Sequence, residues 1–306
     1  MNTNFNNNNE NKMNINWFPG HMAKTRRQIE EDAKLVDIVI ELLDARIPLS
    51  SQNPDLKNIL KNKTIIKVLN KSDLADSKEN KRWQEYFKKQ GYEAVVVNSS
   101  TGHGINETLR KIEEMMKEKL EAQSEKGRTG RKIRAMIVGI PNVGKSSFIN
   151  CISKKNSAEV GNKPGVTKSK QWIRINEKVE LLDTPGVLWP KFENEKVALN
   201  LSYTGSIKDD LLAQTEIAYQ LLKYLLNNYI ENVCERYSFK KEELEEILKQ
   251  DNEENINIYE IMLKIGKKRG AIISGGNIDD EKTAKIIIDD FRTGKLGNIS
   301  LEKVQN

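Results

Sequence analysis

Cysteine is scarce in this sequence: Cys151 and Cys234 stand far apart. That argues against a disulfide framework, and with no Cys/His cluster at zinc-ligand spacing it argues against a zinc site as well. No apolar run approaches the roughly 20 residues needed to cross a bilayer, so no membrane partner is expected. The start lacks the basic region, apolar core and cleavage site of a secretory signal, and a cytoplasmic location is expected. Internal repeats are also missing. What remains is a 306-residue chain, 37% hydrophobic and 31% charged, long enough for two ordinary domains. Its net charge of +6 is compatible with a nucleic-acid partner and does not establish one.

Residues 1–16 are mostly asparagine without apolar periodicity, and are expected to be a disordered tail in which Met13 is a candidate start. Order is expected from Trp17-Phe18-Pro19-Gly20-His21-Met22, with a helix over 23–35. The run Val36–Asp44 and the segments 64–69, 93–97 and 133–138 read as strands, separated by helices near 54–61, 78–90 and 105–122. Such alternation predicts a mostly parallel sheet with crossover helices. A hydrophilic linker over 123–132 carries Gly127 and Gly130. Two further strands, 171–175 and 179–182, form an expected hairpin. Beyond about Asn200 the patterns are helical, over 211–227, 241–249, 258–268 and 280–292.

Gly139-Ile140-Pro141-Asn142-Val143-Gly144-Lys145-Ser146 fits G-x-x-x-x-G-K-[ST] between a strand and a helix. In such a loop the backbone N–H groups of residues such as Asn142, Val143, Gly144 and Ser147 turn inward to phosphate oxygens. Lys145 supplies a point charge for the β- and γ-phosphates, and Ser146 offers a hydroxyl to Mg²⁺. Downstream, Asp183-Thr184-Pro185-Gly186 ends a strand. Asp183 is a candidate Mg²⁺ acid, and the Gly186 N–H a candidate γ-phosphate sensor. Between them Thr167, in a lysine-rich loop, is the candidate switch threonine for Mg²⁺.

Asn70-Lys71-Ser72-Asp73 follows a strand and matches N-K-x-D. The Asp73 carboxylate suits the paired donors of guanine, which adenine lacks. Asn70 can reach the base edge and tie loops together, and the Lys71 stem can lie across the ring. Asn98-Ser99-Ser100, after the next strand, is similar to the loop whose backbone contacts guanine O6; it is the least specific of these signals. An ATP-binding reading is disfavoured by Asp73.

Together these segments resemble the translation-factor-like GTPases, which usually run phosphate loop, switch threonine, D-x-x-G, N-K-x-D and serine loop. Here the last two come first, as in circularly permuted GTPases. Trp17–Lys24, Asp44-Ala45-Arg46-Ile47-Pro48 and Phe291-Arg292-Thr293-Gly294-Lys295-Leu296-Gly297 resemble bacterial ribosome biogenesis GTPase A. The resemblance spans nearly the whole chain. It implies an α/β P-loop GTPase three-layer fold, circularly permuted, over 17–200, and an all-α domain over 201–306 that contacts rRNA. It implies GTP hydrolysis, stimulated by the ribosome, in late assembly of the large subunit, by a protein expected to act as a monomer. Zinc-binding relatives that act on the small subunit are disfavoured by the missing cluster.

The resemblance also bears on catalysis. Val187 stands where many GTPases carry a water-orienting glutamine, and an apolar side chain cannot position water. The family assigns that role to the histidine matching His21; the alternative for His21 is an rRNA contact or helix cap. His103 is expected to have no catalytic role. An asparagine at the position of Asn142 holds K⁺ in related GTPases, so K⁺ stimulation is expected. Candidate RNA contacts are Lys24, Arg26, Arg27, Lys168, Lys170, Lys267, Lys268, Arg269, Arg292 and Lys295, each of which could equally be a solvated face. The missing glutamine leaves one competing reading: an RNA-binding scaffold that binds GTP with negligible hydrolysis.

Overall fold

In a computed structural model the described residues are 19–125, 131–155, 172–182, 194–211, 213–249 and 254–305. Helix α1 (Pro19–Ala33) leads into strand β1 (Ile38–Asp44). Then come α2 (Pro54–Ile59), β2 (Thr64–Asn70), α3 (Ser77–Lys89), β3 (Glu93–Val96), α4 (Ile105–Ser124), β4 (Ile133–Val138) and α5 (Lys145–Lys155). The hairpin β5 (Trp172–Arg174) and β6 (Val179–Leu182) follows. Among the described residues that follow come the helices α6 (Glu195–Tyr203), α7 (Gln214–Asn228), α8 (Ile230–Tyr237), α9 (Lys241–Lys249), α10 (Glu254–Lys268) and α11 (Asp280–Arg292).

The strands form one sheet in the order β3-β2-β1-β4-β6-β5, parallel except for the β5–β6 pair. Every residue of β1 is buried, as expected of a strand paired on both edges and covered on both faces. Alternation along the strands sorts the side chains between faces. Val39 of β1 and Met136 and Val138 of β4 pack with Ile29 and Ala33 of α1 and Leu56 of α2. Leu43 and Leu69 meet Trp83 and Phe87 of α3 on that same face. Ile38, Ile40 and Leu42 turn the other way, towards α4 and α5, into a larger cluster that runs on without a break through Leu201 and Leu221 to Phe291. The sheet is thus the middle of three layers.

Strand order carries the permutation. β4, the strand that enters the glycine loop, lies mid-sheet. The strands that precede it in the chain occupy one flank and those that follow it the other. Read from β4 through β6 and then from β1 to β3, the chain has the conventional order of the fold.

The structure departs from expectation at the carboxyl-terminal end. The expected boundary at 200/201 falls inside α6. And after α11 the backbone returns to the sheet: the Ile299 and Leu301 N–H groups donate to the carbonyls of Leu74 and Arg46, each at 2.9 Å. Helices α6 and α8 are also additional to the expected ones; both are short and lie between longer periodic segments.

Candidate nucleotide-binding site

In an open parallel sheet, ligands bind beyond the carboxyl ends of the strands where the chain's direction of winding reverses. Here that point lies between β1 and β4. Asp44 ends β1, Asn70 ends β2 in register with it, and β4 runs into the glycine loop. A cavity of about 1300 Å³ opens there, lined by Lys71, Asn142, Gly144, Lys145, Ser146 and Ser147 among others.

The loop's backbone shows why its sequence is what it is. Asn142 and Gly144 take positive φ, 61° and 93°. Asparagine tolerates the left-handed region better than most residues, and glycine does so freely. A Cβ on Gly144 would stand 2.4 Å from Asn70 Nδ2, so glycine also allows the guanine motif to approach this closely. Lys145 Nζ donates to the carbonyls of Gly139 and Ile140, each at 3.0 Å, which holds its charge at the mouth of the loop. Ser146 and Ser147 are exposed in the first turn of α5, whose N–H groups and dipole favour an anion. A nucleoside triphosphate held in such a loop generally carries Mg²⁺. The Ser146 hydroxyl, a hard oxygen donor exposed in the cavity, fits that ion.

Asn70 joins three loops. Its Nδ2 donates to the Val143 carbonyl at 2.8 Å. Its Oδ1 accepts from the Ser99 backbone N–H at 3.2 Å and hydroxyl at 2.7 Å. Asn70 and Val143 are buried, so these bonds fix the phosphate loop, the base-reading turn and the serine loop against one another. Ser72 and Asp73 lie in a short 3-10 turn, with Asp73 exposed. Asn98 uses its side chain on its own turn, accepting from the N–H groups of Ser100 and Thr101 at 2.8 and 3.2 Å. His103 pairs through its backbone with Asn98.

A buried charge cluster behind Lys71 was not foreseen. Asp44 accepts two side-chain bonds from Arg46, at 3.0 and 2.8 Å, and lies 3.1 Å from Lys71 Nζ. Burial alone would raise the Asp44 pKa, but Arg46 and Lys71 outweigh it and hold the carboxyl well below the usual carboxylate range. The available signal was an acid and an arginine two residues apart at a strand's carboxyl end.

The helical part of the chain also reaches the site. Thr204, Gly205, Ile207, Lys208, Asp209 and Asp210 line the same cavity. The Asn142 side-chain amide donates to the Gly205 carbonyl. Arg292, a candidate RNA contact, proves to be engaged inside the protein. It binds Asp209 at 2.8 Å through both terminal nitrogens and donates to the Tyr203 and Ser202 carbonyls. That arginine in turn holds the Asp209 carboxyl low. Arg269 is likewise engaged with the Arg236 carbonyl and the Tyr237 ring. The His21 side chain, with Thr167, Asp183, Gly186 and Val187, lies outside the described residues.

A G-x-x-x-x-G-K-S loop and an N-K-x-D turn pinned together by Asn70, with the turn earlier in the chain, are the arrangement of a circularly permuted P-loop GTPase. Comparison with known proteins narrows the class. The family model described as "50S ribosome-binding GTPase" matches residues 134–263. Ribosome biogenesis GTPase A of Bacillus licheniformis is 48% identical over 95% of this chain and 99% of its own. The protein of that name from Thermotoga maritima is 30% identical over 95% of each. A GDP-bound structure of TM YlqF matches with a TM-score of 0.65 at 26% identity, over 92% of this chain and all of that one. A GNP-bound structure of YlqF from T. maritima gives 0.63 at 27%, over 92% and 98%. The chain belongs to the ribosome biogenesis GTPase A family, and it is a GTP hydrolase.

Proposed function

We propose that this chain hydrolyses GTP in response to the large ribosomal subunit and acts late in that subunit's assembly. The observation that carries the nucleotide half is the Asn70 bridge, which ties the N-K-x-D turn to the glycine loop and the serine loop. The ribosomal half is supported by the names of the relatives and by the family model's description.

In this reading Asp73 accepts from the guanine edge and the Lys71 stem covers the ring. Ser99 presents its backbone to guanine O6. The N–H groups around Asn142–Ser147 and the Lys145 ammonium hold the phosphates. Ser146, Thr167 and Asp183 hold Mg²⁺, which neutralises charge on the β- and γ-phosphates. The Gly186 N–H faces the γ-phosphate. His21 orients the attacking water, since Val187 cannot. Asn142 uses its amide nitrogen on Gly205, which leaves its carbonyl oxygen for a K⁺ that offsets charge in the transition state.

The helices after residue 200 provide the rRNA-binding part, with the exposed Lys267, Lys268 and Lys295 as contacts beside Lys24, Arg26, Arg27, Lys168 and Lys170. They follow the second switch directly, so nucleotide state sets their orientation; identical hydrogen exchange over 187–306 with GDP and a GTP analogue would contradict this.

The deciding experiment measures GTP turnover with and without large subunits, for wild type and His21→Ala, in K⁺ and in Na⁺. Subunits should stimulate the wild type in K⁺. His21→Ala should lose that stimulation with nucleotide affinity intact, and Na⁺ should reduce it. Equal turnover with and without subunits sinks the ribosomal reading. Equal stimulation of the variant, or in Na⁺, sinks the corresponding role of His21 or Asn142.

A further inference from the structure

The carboxyl-terminal return, residues 296–304, bonds to the backbone just beyond β1 and β2, at Arg46 and Leu74. The Glu302 carboxylate is buried there. It accepts from the Leu49 N–H at 2.6 Å, the Ser50 N–H at 3.0 Å and the Ser50 hydroxyl. Asn200 Nδ2 also reaches it, at 3.2 Å. No lysine or arginine pairs with it among the described residues. Three donors from one turn take its charge instead.

That turn is the continuation of Asp44-Ala45-Arg46. Ser51 N–H donates to the Ile47 carbonyl, Ile47 N–H to the Asp44 carbonyl, and Asp44 N–H to the Ser51 hydroxyl at 3.1 Å. The Arg46 carbonyl accepts from Leu301 and Glu302 N–H groups. The Arg46 guanidinium lies 5.0 Å from the centre of the Phe291 ring, so α11 backs it as well. From this seat Arg46 grips Asp44 with two bonds, and Asp44 holds Lys71 Nζ at 3.1 Å. Lys71 itself sits at φ 58°, a strained setting for a lysine that needs such an anchor. The next turn is held by the same segment: Leu74 O accepts from Ile299 N–H, and Asp76 N–H donates to the Ser300 hydroxyl at 3.1 Å.

We propose that Glu302 and Arg46 are positioning residues for guanine recognition: Glu302 fixes the 47–51 turn, the turn fixes the Arg46–Asp44 pair, and the pair sets Lys71 against the base. Nucleotide affinity is therefore tuned from residues 296–304, which do not line the cavity. The proposal rests on the reading that Asn70–Asp73 takes the guanine base.

The test is a double-mutant cycle on the full chain, read as the dissociation constant and off-rate of a fluorescent GDP. Glu302→Gln keeps the volume and removes the charge. It should weaken GDP binding about fivefold to tenfold, the scale of one charge-assisted hydrogen bond partly transmitted. Ser50→Ala, which removes the hydroxyl with its bonds to Glu302 and Asn200 but keeps the Leu49 and Ser50 N–H donors, should weaken it about twofold to threefold, through the same route. In a Lys71→Ala background both effects should shrink to less than about twofold, because the final link is gone. Nucleotide-free unfolding of each variant guards against loss of fold. Equal losses with and without Lys71, or no loss in a folded variant, overturn the proposal. If Lys71→Ala and Asp73→Asn alone leave GDP affinity unchanged, the base-reading assignment itself fails, and that result is distinguishable from the others.

Discussion

Replacing Asn70 by alanine removes three hydrogen bonds at once and leaves their partners buried. The Val143 carbonyl loses its donor in the middle of the phosphate loop, and the Ser99 N–H loses its acceptor. Leaving a buried polar group unpaired costs about 1–3 kcal/mol. The Ser99 hydroxyl can rotate to another acceptor, so two stranded groups set the total, about 2–6 kcal/mol. The loss arises within the protein and should appear without nucleotide, as a lower urea midpoint with unchanged slope. GDP binding should weaken as well, because the phosphate loop and the base-reading turn are no longer pinned together. Asn70→Asp is the informative control. It keeps the acceptor for Ser99 but loses the donor to Val143, and it sets a carboxylate against a carbonyl. Its effect on phosphate-loop affinity should therefore be at least as large as that of alanine, with the serine loop spared. If Asn70→Ala leaves both nucleotide-free stability and GDP affinity within error of wild type, the bridge does not organise the site.

Two further outcomes follow from the same geometry. Gly144→Ala should lower GDP affinity at least about tenfold, since the left-handed backbone alone costs a non-glycine residue about 1–2 kcal/mol and the new Cβ would stand 2.4 Å from Asn70 Nδ2; binding titrations read this directly. Asp44 titrates below its ordinary value in the folded chain, so its contribution is complete above about pH 4 and is lost as pH falls through the folded value. The stability gap between wild type and Asp44→Asn should hold steady from neutral pH to about 5 and close on further acidification. A gap that widens in acid would contradict the assignment of Asp44 as the charged centre of the cluster.

The strands and long helices were legible because their signals are local. A run such as Val36–Asp44 has the composition of a strand covered on both faces, and β1 is buried throughout. Glycine at 144 was legible as part of a motif, and its close approach to Asn70 supplies the reason for it. The Asp44–Arg46–Lys71 cluster was not foreseen, because the partners come from the ends of different strands and only the sheet register brings Asp44 beside Asn70. Glu302 stayed hidden for a similar reason: its donors lie some 250 residues earlier. Charge alone also misled at Arg292, which resembles a free basic residue in sequence and is taken up by Asp209 and the end of α6.

The central claim is that the turn at Asn70–Asp73 and the loop at Gly139–Ser146, in reversed chain order, form one guanine-nucleotide site. Displacement of bound fluorescent GDP by unlabelled nucleotides tests it most directly. GTP and GDP should displace the probe and ATP should not, while Asp73→Asn should lose affinity for the guanine nucleotides with the phosphate loop unchanged. Equal competition by ATP, or full guanine affinity in the Asp73 variant, would contradict it.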